Sequence, residues 1–162
     1  MPDAIDHFDW FAVPLDHRDS VFSKMNMREN GYSHFQGGQE FPYDENTCGV
    51  TLEAGWYVVL DAGLKVMPRG SLAGPKDRPP YGKLSRGSQI LVGRRVQENI
   101  SCELWENGRR RWTVWTTDGG VAFEGEPPDD ARVRHPADTA AMLCGFDPRT
   151  FPLANGERFI RL

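Results

Sequence analysis

The chain has no surplus of basic charge, no long apolar run and few cysteines, and each shortage argues against a class of function. Its 162 residues carry 19 Lys and Arg against 23 Asp and Glu, a formal net charge of -4. Nucleic-acid binding draws most of its affinity from an excess of Lys and Arg that neutralises phosphates, so a nucleic-acid partner is not expected. No apolar run is long enough to cross a bilayer as a helix, and no membrane partner is expected. The opening MPDAIDHFDW puts acids where an export signal needs a basic start and an apolar core, which leads us to expect a cytoplasmic protein. Three cysteines, Cys48, Cys102 and Cys144, are an odd number at wide separations, with no CxxC pair and no Cys/His ligand spacing. Reduced thiols are expected, and neither a metal nor a cofactor is assigned. The glycine-rich pieces GYSHFQGG and TTDGG are followed by no GK[ST] and open no clear helix, so neither reads as a phosphate loop. There is no internal repeat.

What the chain does have is aromatics and turn formers. It holds 5 Trp, 4 Tyr and 9 Phe, together with 17 Gly and 12 Pro. That balance suits a strand-rich or mixed fold, and the length suits one domain with a real core. In HFDWFAVPLD, alternation puts Phe8, Trp10 and Ala12 on one face of a strand and Phe11 and Val13 on the other, with Pro14 as its end. A short helix should follow, capped by Asp16, with Asp19 in its first turn, Val21, Phe22 and Met25 on one face and Gly31 as terminator. Residues 31–50 show no sustained period and read as a long irregular segment, as do the Gly/Pro-rich residues 68–82. Between them, Trp56 to Leu60 is apolar on both faces and reads as a central strand. VAFEGEPPDD gives a brief strand and a turn, HPADTAAMLCG a short helix opened by Pro136 and closed by Gly145, and GERFIRL a last strand. The expected fold is α+β: one domain, residues 1–162, with a mostly antiparallel, twisted sheet of about five to seven strands and two short helices.

The densest pattern runs from Gln89 to Trp115. Ile90, Val92 and Val96 share one parity, continued by Ile100, Cys102 and Leu104 and, after a turn, by Trp112 and Val114. The turn is set by ENG. A two-residue Asn107-Gly108 loop would put Glu106 opposite Arg109 but mix the two faces further along. A three-residue loop instead sets Cys102 opposite Trp112, Ile100 opposite Val114 and Glu103 opposite Arg111, which keeps the apolar set together and is the register we expect. Arg111 would then pair with Glu103, worth ~0.2–1 kcal/mol. Arg109 would lie over Trp105, worth ~0.5–1 kcal/mol if exposed. Arg110, opposite Leu104, would lean out over the rim. The odd positions Trp105, Arg111 and Trp115 would form an outward face, and Trp and Arg are the residues that interface hot spots favour.

The run from GWYVV through LSRGSQILVGRRVQENISCELWENGRRRWTVWTTDGG to EGEPPDD resembles a group of small bacterial proteins in which a Gly-Trp-Tyr strand precedes S-x-G, a Gln-Glu stretch and W-x-x-G-x-x-x-W-x-V. The matching positions are Gly55, Trp56, Tyr57, Ser85, Gly87, Glu98, Trp105, Gly108, Trp112 and Val114. Such proteins are similar in style to the immunity proteins of bacterial toxin systems. The resemblance implies a protein partner and brings no catalytic residue with it.

No catalytic constellation is assembled from the remaining groups. His7, Asp9 and His34 have the chemistry of a metal site but nothing in the sequence fixes them together. Cys102 sits on the apolar parity, Cys144 in a last helical turn, and Cys48 lies near Asp44 and Glu45, whose charge opposes thiolate formation. The functional expectation is therefore a non-enzymatic protein-binding module, in its most specific form a cytosolic immunity or inhibitor protein that occludes a basic toxin domain. Its docking residues would be Trp105, Arg109, Arg111 and Trp115, with Glu124, Asp129 and Asp130 as a charged rim. The competing expectation is a small enzyme or ligand-binding domain whose site is walled by residues 31–50, with His34, Tyr43, Asp44 and Glu45 as its polar groups.

Overall fold

In a computed structural model of the chain, which describes residues 7–25, 32–34, 47–61, 81–149 and 158–161, nine strands form one sheet. In chain order they are β1 (His7–Pro14), β2 (Tyr32–His34), β3 (Thr47–Thr51), β4 (Trp56–Asp61), β5 (Gln89–Val96), β6 (Asn99–Glu106), β7 (Arg109–Thr117), β8 (Gly120–Gly125) and β9 (Arg158–Arg161). Three helices accompany them: α1 (Arg18–Met25), the single turn α2 (Tyr81–Leu84) and α3 (Pro136–Cys144). The spatial order is β2-β9-β3-β4-β1-β5-β6-β7-β8, and every pairing is antiparallel. The run from β3 to β8 supplies the seven strands at the top of the expected range, and the short β9 and β2 extend it. This is the expected single α+β domain. The ends of the segment read as irregular, residues 31–50, prove to be strands β2 and β3; Gly31 itself and most of residues 68–82 fall outside the described residues.

β1 lies at the middle of the sheet and shows why the fold holds. Its alternation is the expected one, and each half of it enters a separate core. On the first face Phe8, Trp10 and Ala12 pack with Val58, Leu60, Leu91, Cys102 and Val114, under Ala140 and Cys144 of α3 and the following Phe146. Trp10 is fully buried, meets Phe146 edge-on at 5.0 Å, and lies flat over Gly93. On the second face Phe11 and Val13 pack with Tyr57, Val59, Ile90 and Val92 under Val21 and Phe22 of α1 and Tyr81 and Leu84 of α2. Burying large side chains on both faces of a strand stabilises by about 1.5–3 kcal/mol per residue, so the central strands read as near-continuous apolar runs.

The helix ends follow local chemistry. Pro136 opens α3, the His135 Nδ1 accepts the Ala137 N–H at 3.1 Å, and Gly145 closes the helix at φ 84° with its N–H on Ala141 O at 2.9 Å. At α1 the expectation needs correction. Asp16 lies inside a 3-10 turn, Leu15–His17, that precedes the helix, so it does not cap it. His17 next to it donates from Nε2 to Leu84 O at 2.8 Å and ties this turn to α2.

Candidate functional site

The register of β6 and β7 decides what the aromatic and arginine cluster can do. Asn107 and Gly108 take φ values of 47° and 90°, the two left-handed positions of a two-residue hairpin turn, and Glu106 faces Arg109. The three-residue loop expected from the sequence is not formed. A shift between Leu104 and Trp105 then leaves Arg111 without a partner of its own, so that Leu104 faces Trp112, Cys102 faces Val114 and Glu103 faces Thr113. One bulged residue thus restores the apolar set to a single face by a route the turn alone could not provide. The turn itself is held from outside: Gly108 donates its N–H to the Ser85 Oγ at 3.0 Å, and the Asn107 Oδ1 accepts the Gly87 N–H at 3.1 Å. Ser85 and Gly87, with the buried Ser85 also donating to Gly82 O at 3.2 Å, are therefore clamps on the hairpin tip.

The bulge redistributes the arginines. Arg110, not Arg109, faces Trp105, and it reaches Glu124 at 3.2 Å and Glu103 at 3.9 Å. Arg111, on the bulge, binds Glu106 at 3.1 Å in place of the expected Glu103. Arg109 sits exposed beside the turn, opposite Glu106. Trp105 is half-buried. Its ring lies 6.0 Å from Tyr81 of α2, and its indole N–H donates to the Glu103 Oε1 at 2.8 Å. Trp115 is also half-buried, flanked in register by Ser101 and Ala122. Neither indole is sealed in the interior.

These pairings place Trp105, Glu103, Arg110, Thr113, Trp115 and Glu124 on the second face of β6, β7 and β8. α1 and α2 cover that face over β1, β4 and β5, and Trp105 marks the edge of their cover. The expected rim does not converge on it. Asp129 and Asp130 belong to a 3-10 turn, Asp129–Arg132, whose Arg132 guanidinium lies 5.0 Å over Phe123 on the first face. Each already has a basic neighbour, Arg132 at 3.9 Å for Asp129 and Arg134 at 3.5 Å for Asp130. Of the expected docking residues, the structure unites Trp105, Trp115 and Glu124, adds Glu103 and Arg110, and leaves Arg109, Arg111, Asp129 and Asp130 apart.

Sequence reasoning passed over one charged pair on the same face. Asp9 is only 5% exposed, and Arg94 opposite it on β5 binds it twice, Nε to Oδ1 at 2.5 Å and Nη2 to Oδ2 at 2.8 Å. The Asp9 hydrogen bond holds the Arg94 pKa above its ordinary value despite partial burial. The register continues across the sheet from Asp9 to Arg94, Ser101, Trp115 and Ala122, a single row that joins the pair to the part of this face that no described helix covers. The available signal was a carboxylate at the centre of an apolar strand, which burial tolerates only with a partner.

Two of the three thiols can be placed, and the side chain of Cys48 lies outside the described residues. Cys102 and Cys144 are buried and form no disulfide with each other, burial pushes the Cys102 thiol well up, and it pushes Cys144 up to about 12. A thiol so placed is a poor nucleophile. Among the described residues no group of His, Cys, Asp and Glu is arranged to hold a metal ion, and no helix is long and apolar enough to cross a membrane. Tyr43, Asp44 and Glu45 of the competing expectation, and the side chain of His34, lie outside the described residues. No protein-family model, curated protein or solved structure matches this chain.

Proposed function

We propose that the chain is a non-enzymatic protein-binding module that docks its partner on the open second face of β6, β7 and β8. The observation that carries this reading is the fixed pose of its aromatic and charged groups. Trp105 is pinned by Tyr81 and Glu103, Arg110 is bracketed by Glu103 and Glu124, and Trp115 stands beside them half-exposed. Ordering side chains on binding costs about 0.5–1.5 kcal/mol each, and groups already held in place avoid much of that cost. A rigid Trp/Arg patch with polar neighbours is the composition that interface centres favour.

In its most specific form the partner is a basic toxin domain that the chain occludes, as an immunity or inhibitor protein would. The net charge of -4 favours encounter with a basic surface, and Glu103 and Glu124 place carboxylates within the face itself. The test is affinity capture from the native host, followed by calorimetry with the recovered partner. Trp115→Ala is expected to weaken binding about tenfold or more, the range of an interface anchor, while leaving the melting temperature within about 2 °C of the parent. Unchanged affinity, or a native host that supplies no partner, sinks the proposal.

A further inference from the structure

The sheet ends on β8, and among the described residues no strand lies on its outer side. An open edge presents unpaired amides and carbonyls, and proteins blunt such edges with lysine, proline or bulges along the strand. In β8, Gly120–Gly125, there is no lysine and no proline, and Glu124 is the only charge. Its irregular positions are the two terminal glycines: Gly120 opens it at φ 150°, and Gly125 turns to φ 79°, where a Cβ would meet Arg111 O at 2.3 Å. Among the described residues Gly120 to Glu124 thus form an unpaired edge of average length, and its Phe123, with Arg132 over one side of the ring, is still 42% exposed.

We propose that this edge pairs with β8 of a second copy of the chain, antiparallel, about a two-fold axis through Ala122. A two-fold axis perpendicular to the sheet keeps each face continuous, so facing residues must have the same parity, and only registers centred on a residue are allowed. Centring on Ala122 uses all of Gly120 to Glu124. Val121 then faces Phe123 of the second copy, and Phe123 faces its Val121, both on the first face, where Val121 already packs against the core. Glu124 faces Gly120, and no charge meets a like charge. Centring on Phe123 instead brings Val121 against Gly125, whose φ of 79° leaves the extended strand. Centring on Val121 brings Phe123 against Gly119 in the turn. Neither pairs the two apolar side chains with each other.

The Ala122 register has a consequence on the second face. Ala122 is the cross-strand neighbour of Trp115, so the two Trp115 residues lie three strand spacings apart, ~14 Å. The dimer doubles the open face into one continuous surface. The pairing does not depend on the docking proposal, and its test does not use a partner.

The experiment is sedimentation of the full chain over a range of concentrations, with charge-swapped variants at the axis. The parent is expected to dimerise. Ala122→Lys and Ala122→Asp each set like charges face to face and should weaken self-association ~10–100-fold. Mixed in equal amounts, the two variants should recover the dimer, since lysine then faces aspartate. A parent that stays monomeric at millimolar concentration overturns the proposal, as does a dimer indifferent to both variants. Failure of the mixture to recover overturns the axis at Ala122. Should either variant lose its parental circular dichroism, Ala122→Cys replaces it. Facing Cα atoms ~4.5–5.5 Å apart fall within disulfide reach, so mild oxidation should cross-link this variant and not the parent, and its failure to cross-link overturns the pairing.

Discussion

Removing one member of the Asp9–Arg94 pair should cost far more than removing both. The Asp9 carboxylate is almost wholly buried and accepts two hydrogen bonds from one guanidinium, which is itself about one-third exposed at 33%. Breaking a fully buried pair costs ~3–5 kcal/mol, because the survivor is left charged without its partner. Partial exposure lets Arg94 turn towards water, which lowers the expectation for Asp9→Asn to ~2–3 kcal/mol. For a chain of this length that is a fall in melting temperature of ~4–12 °C. Arg94→Met takes the guanidinium from the better-buried carboxylate and should cost a comparable amount. The double variant Asp9→Val with Arg94→Met replaces the pair with apolar groups of strand-forming or flexible shape, and should lie within ~1 kcal/mol of the parent. Urea unfolding followed by tryptophan fluorescence measures all of these. The Arg94 contribution should also be flat in pH: its folded pKa is raised above the ordinary arginine value, so the stabilisation is complete below the unfolded value and is lost only in strong alkali, as pH rises through the folded one. Single variants within ~0.5 kcal/mol of the parent, or a double variant as damaged as the two singles together, would refute the reasoning.

Two further outcomes are expected. The His135 pKa is lowered from 6.5, first by partial burial and then by the Arg149 charge, against the opposing pull of Asp138 and Asp147. A depressed folded value favours the neutral imidazole, whose Nδ1 caps α3, so the stabilisation is full above pH 6.5 and is lost as pH falls through the depressed value. His135→Asn should keep a cap and abolish that dependence in melting curves, whereas His135→Ala should cost ~1 kcal/mol at neutral pH. Gly93→Ala should destabilise by ~2 kcal/mol or more in the same urea assay, because its Cβ would sit 2.4 Å from the buried Trp10 indole; a neutral result would mean that Trp10 has room to move.

Within single elements, the sequence was a sound guide. The two-sided alternation of β1, the apolar run of β4, and the Pro136 and Gly145 limits of α3 are all local facts, and the structure repeats them. Between elements, two expectations failed for one geometric reason: the shared face across the β5–β6 turn and the pairing register across the β6–β7 turn. A two-residue turn joins residues of opposite parity, so even positions of one strand lie beside odd positions of the next. At the β5–β6 turn, where Val96 faces Asn99, Ile90 and Val92 pass to the second face while Ile100, Cys102 and Leu104 stay on the first. The sequence reading had joined them in one set. At the β6–β7 turn the same flip occurs and the Arg111 bulge reverses it. An inserted residue leaves no mark on an apolar pattern that looks continuous across it. Asp9 and Arg94 stand 85 positions apart, and no local period can report a pair made by two strands meeting in the middle of a sheet.

The bulge also separates the duties of the two tryptophans, which alternation alone makes equivalent. Trp105 lies on the turn side of it, next to Ile90 in register and against Tyr81, so α2 covers part of its ring and Glu103 takes its only donor. Trp115 lies on the far side, half-buried too, next to Ser101 and Ala122, two small residues. A side chain that has already spent its hydrogen bond and half its surface inside the fold gives a partner little new area, but it fixes Glu103, and through Glu103 and Glu124 the pose of Arg110. With small neighbours on both sides in register, the Trp115 ring is the one a partner can flank. Affinity for the proposed partner should therefore follow Trp115, and the geometry of the face should follow Trp105, although the sequence presents them as the same residue on the same parity.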